Sequence, residues 1–225
     1  MKQAQAKFIF GVYALVLVLE LLFIYFDQQQ FRWFTKPLLM PLLMLGFYTA
    51  SSKRSGTLFY LIPVALFLSW AGDVLLQMKG MFIPGLISFL LAHVFYIVYF
   101  SKTGKGKKGL LQLQPLIGIP VLVYILIFLW LLYPFLDALK IPVTVYGITI
   151  GIMLLLAINT RHKLSNAAFT LFFIGALLFV ISDSLLAVNL FAMNHLALSL
   201  CVMLTYAVAQ YLIVKGALAN EQINS

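Results

Sequence analysis

Residues 57–77 read TLFYLIPVALFLSWAGDVLLQ. About 20 apolar residues, rising about 1.5 Å each, carry a helix across the hydrocarbon core of a bilayer. This stretch is that long and holds one charged residue, Asp73. It therefore predicts a transmembrane helix. The same measure along the chain predicts eight spans, at about 8–26, 36–50, 57–77, 82–100, 113–133, 141–158, 167–188 and 196–214. The second and sixth are short and have proline near their starts (Pro37, Pro41; Pro142), where a missing N–H costs little. No gap between spans is long enough for a soluble domain.

Composition agrees. Of 225 residues, 64% are hydrophobic and 9% charged, against roughly 45–50% and about 25% in soluble chains. The mean hydropathy is +1.06. Lipid must be the solvent, so the expected fold is all-α: one polytopic membrane domain over 1–225, a bundle of about eight helices. The opening Met1, Lys2 and Lys7 before an apolar run resembles a signal peptide, but no small-residue cleavage site follows. That run is read as the first span. The single Cys201 lies in an apolar run, which excludes a disulfide framework and a thiolate metal site.

The net charge of +9 does not point to nucleic acid, because the basic residues form no stripe. They cluster between spans. With the N-terminus inside, eleven of the fifteen fall on the cytoplasmic side (Lys2, Lys7, Lys53, Arg54, Lys102, Lys105, Lys107, Lys108, Arg161, Lys163, Lys215). Four fall outside: Arg32, Lys36, Lys79 and Lys140. The positive-inside rule then places both termini in the cytoplasm of a multi-pass protein, at the inner membrane if the cell is bacterial. The run from Lys102 to Lys108 either reports this topology or binds anionic headgroups.

An internal repeat is visible. Gly72-Asp73-Val74-Leu75-Leu76 in the third span matches Ser182-Asp183-Ser184-Leu185-Leu186 in the seventh, 110 residues on. Four spans separate them, so two parallel four-helix repeats are expected, with the pseudo-two-fold axis along the membrane normal.

Asp73 and Asp183 each lie about 24 Å from the cytoplasmic start of their spans, at one depth. A carboxylate there costs roughly 2.5–3.5 kcal/mol, so it faces the bundle interior and has a partner or a function. Two such groups near one another hold one acid protonated beside an ionised base, which suits acid–base hydrolysis. A structural pairing, for example with Lys36, is the plain alternative. Ser69 and Gln77 share the helix face of Asp73. Lys36 either anchors a phosphate or snorkels to the interface. His93 falls about 16 Å into its span, with Tyr96 one turn on; it is either an interhelical donor or part of a site. Tyr206 and Gln210 form an i,i+4 pair suited to joining helices. Glu20 either lines the same cavity or pairs with another helix. His-Glu-x-x-His, Gly-x-Ser-x-Gly and Walker patterns are absent, and three scattered histidines form no metal-ligand spacing. No metal or cofactor is expected.

Four stretches together resemble the YhhN family of eight-span membrane proteins. They are Lys36-Pro37-Leu38, Gly72-Asp73-Val74-Leu75-Leu76, Phe89-Leu90-Leu91-Ala92-His93-Val94-Phe95-Tyr96 and Ser182-Asp183-Ser184-Leu185-Leu186; the segment from Tyr206 to Gln210 is consistent with it. Family members include lysoplasmalogenases, which hydrolyse the vinyl ether of a lysophospholipid to a fatty aldehyde and a glycerophospho-headgroup. The resemblance implies a lipid substrate and Asp73 and Asp183 as the catalytic pair. A small proton-coupled transporter or lipid-binding protein is the reading from another class; the spans carry no mid-membrane Gly/Pro break of the kind transporters use.

Overall fold

The structure is a computed structural model that describes residues 2–52, 54, 56–104 and 106–223. Lys53 and Lys105, both placed on the basic side above, lie outside the described residues, as does the Lys2 side chain. The described chain is helical throughout: α1 (Lys2–Tyr25), α2 (Gln29–Ala50), α3 (Thr57–Gln77), α4 (Phe82–Lys102), α5 (Leu110–Leu113), α6 (Ile119–Leu132), α7 (Lys140–Ile158), α8 (Asn166–Ala187) and α9 (Leu196–Ile223). Among the described residues, seven helical segments are long and apolar enough to cross a membrane. They include α1, α3, α4, α7 and two stretches, Pro115–Phe135 around α6 and Asn166–Ala192 around α8. The span in α9 covers Leu196–Glu221.

The α2 helix is where the structure departs from the expected boundaries. A span was expected from 36, entered at its prolines, but α2 starts at Gln29 and both Pro37 and Pro41 lie inside it. The extra turns are held by α1. Glu20, fully buried, accepts from Arg32 Nε at 2.9 Å and from Thr35 Oγ1 at 2.5 Å. This pairing keeps 29–35 helical although that stretch is too polar to read as membrane from its own composition. By contrast, Pro142 does sit in the first turn of α7. Behind it, the fifth expected span is composite, with α5 and a 3₁₀ turn at Pro115–Gly118 preceding α6.

Small residues let the helices approach closely, as is usual where lipid removes the hydrophobic drive between them. A Cβ on Gly175 would meet the Ala209 carbonyl of α9 at 3.1 Å, and one on Gly216 would meet the Phe172 ring at 2.7 Å. The core runs through α2, α3, α4, α8 and α9 around Phe47, Leu66, Tyr96, Phe172 and Phe179, each under 2% exposed. The α1–α2, α3–α4, α6–α7 and α8–α9 connections share one end of the bundle, called the upper end below.

One backbone feature recurs at the 110-residue spacing. The only described non-glycine residues with left-handed backbone are Asp27 (φ 53°) and Asp137 (φ 42°), in the α1–α2 and α6–α7 connections. Asp tolerates this conformation better than most residues, because its short side chain bonds locally. In the same register, α9 packs on α2 and α4 packs on α7.

Candidate active site

The two intramembrane aspartates sit near the upper ends of α3 and α8. Asp73 is 2% exposed. Its Oδ1 is 3.3 Å from the Lys36 ammonium of α2, and its Oδ2 accepts from Tyr206 of α9 at 2.7 Å. Asp183 accepts from the Tyr146 hydroxyl of α7 at 2.7 Å. The partners stand 110 residues apart as the acids do, Lys36 with Tyr146 and Asp73 with Asp183. Each acid therefore has a partner on the helix that precedes its own, once a cation and once a hydroxyl.

Aromatic rings pack edge-on around the partners of both acids. The Phe179 ring lies 4.6 Å from that of His93 and 5.6 Å from that of Tyr206, and Phe89 meets Tyr206 edge-on at 5.9 Å. His93 is fully buried, with Nε2 3.7 Å from Asp183 Oδ2, too long for a hydrogen bond. The Phe89 carbonyl one turn back faces the ring. Yet neither imidazole nitrogen makes a hydrogen bond of good geometry among the described residues. An unsatisfied buried donor is costly and marks a place where water or a ligand completes the structure.

Asp183 stands at the inner end of a narrow cleft of about 50 Å³ between α3, α4, α7 and α8. Leu76, Phe82, Phe89 and Leu190 are among its apolar walls, with Tyr146 beside the acid. One wall is the wider turn Val188–Ala192 that ends α8 in a π-helix, a deviation common at functional sites.

The remaining expected residues lie as follows. Tyr96 donates to Gln210 at 2.5 Å and Gln210 to Ser69 at 2.9 Å, joining α4, α9 and α3 one turn below Asp73. Tyr206, expected to join helices, does so by bonding Asp73 itself. Gln77 bonds the Asp73 carbonyl of its own helix at 3.3 Å. Glu20 belongs to the Arg32–Thr35 cluster. Tyr146 and Arg32 were not singled out from sequence. The repeat offset applied to Lys36 leads directly to Tyr146, whereas Arg32 had no signal beyond its charge. Among the described residues, no cluster of three or more His, Cys, Asp or Glu has the arrangement of a metal site.

Gly72 sets the spacing of this centre. A Cβ there would lie 2.5 Å from the Phe89 ring, and Phe89 lines both the cleft and the Tyr206 edge. Gly72→Ala is expected to cost about 1–3 kcal/mol of stability through overpacking and to lower activity by displacing Tyr206 from Asp73. Thermal unfolding and turnover of the purified variant check both.

A YhhN family model matches residues 31–217. The human lysoplasmalogenase TMEM86B is 31% identical over 88% of this chain and 81% of its own length. The mouse protein of that name is 30% identical over 82% of the chain and 75% of its length. A lysoplasmalogenase of Mycobacterium tuberculosis is 30% identical over 73% of the chain and 62% of its length. No solved structure matches.

Proposed function

This chain belongs to the YhhN family, and from that premise we propose that it is an intramembrane hydrolase of the lysoplasmalogenase kind. Its substrate is a lysophospholipid with a vinyl ether. The carrying observation is a pair of buried acids with unlike partners, one of them at the inner end of an apolar cleft.

The unlike partners divide the work. Lys36 and the Tyr206 hydroxyl both favour a charged carboxylate at Asp73, which is the base. Asp183 has only Tyr146 and His93 beside it, with no cation among the described residues, and carries the proton. In the first step the Asp183 carboxyl gives its proton to the enol-ether carbon that does not bear oxygen. The C=C electron pair forms the new C–H bond, and an oxocarbenium ion results. Water then attacks the oxygen-bearing carbon while Asp73 takes a proton from it, giving a hemiacetal. In the collapse Asp73 returns that proton to the glycerol oxygen, the C–O bond breaks, and Asp183 takes the hemiacetal hydroxyl proton. The fatty aldehyde and the glycerophospho-headgroup leave, one water is consumed, and both acids regain their starting states. Two carboxyl groups divide the work in a comparable way in glycosidases. His93, whose nitrogens make no hydrogen bond among the described residues, lies beside Asp183 and is a polar group in the wall of the site. Tyr96, Ser69 and Gln210 hold the helices below the acids, and Gln77 braces the last turn of α3.

In the same reading α2, packed on α1 and α3, is the eighth span, both termini are cytoplasmic, and the site opens toward the outer face. The charge asymmetry between the two ends supports this orientation.

Detergent-purified protein offered lysoplasmalogen and a saturated 1-acyl lysophospholipid side by side is expected to release aldehyde from the first only. Release from neither, together with flux of labelled lipid into sealed proteoliposomes, would replace the hydrolase with a transporter.

A further inference from the structure

Two ion pairs at the upper end of α2 point the same way. Glu20 is fully buried, while the Arg32 side chain it holds is 21% exposed. Asp73 is 2% exposed, while the Lys36 side chain it holds is 16% exposed. Both carboxylates lie inward and both cations outward. Arg32 and Lys36 stand one turn apart on the same helix face, so the pairs present a double positive edge on the partly exposed side of α2 near its start.

Arg32 is fixed in place. Its Nε donates to Glu20 at 2.9 Å and its Nη1 to Gln29 Oε1 at 3.2 Å. Thr35 holds the second Glu20 oxygen, so the carboxylate cannot swing away. A guanidinium has five N–H donors, and its remaining ones have no partner among the described residues. Arg32 also lies in the first turn of α2, which has no acidic residue, so the helix dipole adds to the positive field. A fully buried acid in α1 is costly; one that holds an interfacial guanidinium at a fixed angle has a use for that cost.

We infer that Arg32 and Lys36 form a phosphate subsite, with Glu20 and Thr35 as its anchor, that takes the phosphodiester of a lysophospholipid headgroup. The subsite rests on the hydrolase reading for the lipid's identity, and it gives that lipid a direction. The headgroup sits against α2 on the Asp73 side, and the hydrocarbon chain enters the apolar cleft at Asp183. Arg suits the role because its planar fork meets phosphate oxygens two at a time.

Binding without turnover tests this separately from hydrolysis. The full chain in detergent is titrated with 1-palmitoyl lysophosphatidylethanolamine and with 1-palmitoylglycerol, which lacks the phosphate. Wild-type protein is expected to prefer the phospholipid by at least about 10-fold, and Arg32→Gln to abolish that preference while leaving the affinity for 1-palmitoylglycerol unchanged. Because Arg32→Gln strands a buried carboxylate, the double variant Glu20→Gln/Arg32→Gln is measured alongside it, with thermal unfolding as the folding control. If a well-folded double variant keeps the wild-type preference, the pair is structural and the inference falls. Equal wild-type affinity for the two lipids also overturns it. Inorganic phosphate displacing the lipid from wild type, and not from the double variant, would make the free anion a ligand of the same subsite. Displacement by lysophospholipid alone assigns the headgroup. A chain that shows the preference yet releases no aldehyde keeps the subsite and loses the hydrolase.

Discussion

Asp183→Asn is expected to lower the rate of aldehyde release by about 10³-fold while leaving the protein folded. Positioned acid–base groups contribute about 10²–10⁴-fold, and asparagine keeps the shape of the side chain but has no carboxyl proton to give to carbon. The stability half of the expectation follows from the partners. Asp183 is held by the Tyr146 hydroxyl and faces His93 across 3.7 Å, so no ion pair is broken when its carboxyl becomes an amide. The amide oxygen still accepts from Tyr146. The thermal midpoint should therefore stay near that of the parent, and affinity for a saturated lysophospholipid should change little. Turnover falling with binding and folding intact locates the loss in the chemical step. A variant that released aldehyde at the parental rate would remove Asp183 from the mechanism.

Much of this site was visible in the sequence because lipid makes charge scarce. Of six acidic residues, the three that fall inside the spans expected from sequence, Glu20, Asp73 and Asp183, each anchor a contact within the bundle. The length of apolar runs placed most elements, since an unbroken apolar run has one stable form in a membrane. It failed at α2, where the stabilising event is tertiary. A helix start at Gln29 depends on Glu20 being opposite Arg32 and Thr35, and no local pattern in 29–35 records that. Residue type alone also could not separate the polar side chains that touch the acids from those that join helices. Tyr96 and Tyr206 stand in equivalent places, 110 apart, yet one bonds Gln210 and the other Asp73. The tertiary packing of α4 and α9 decides which does which, and no local pattern records it.

Lys36→Met separates two roles that a short distance alone leaves joined. A lysine snorkelling to the interface would tolerate methionine, whose apolar stem has similar reach. At 3.3 Å from a carboxylate that is 2% exposed, the ammonium is the main counter-charge of Asp73. Removing one partner of a buried pair costs about 3–5 kcal/mol; because Lys36 keeps some exposure, the expected loss is about 3 kcal/mol, seen as a lower thermal midpoint. Activity should fall as well, by about 10²-fold, because Asp73 without its cation takes up a proton and no longer accepts one from water. The double variant Lys36→Met/Asp73→Asn decides between the roles. With neither charge present, the strain of an unpaired buried carboxylate is gone and the midpoint should recover most of its loss. If Lys36 served structure alone, Lys36→Met would turn over at the parental rate per folded molecule. If it holds the base in its ionised form, the double variant regains stability and stays inactive, because a neutral amide at position 73 stabilises no oxocarbenium and takes no proton. The same comparison at Tyr146, the equivalent position in the second half, should show no such ion-pair penalty, since the hydroxyl there faces an acid that carries its own proton.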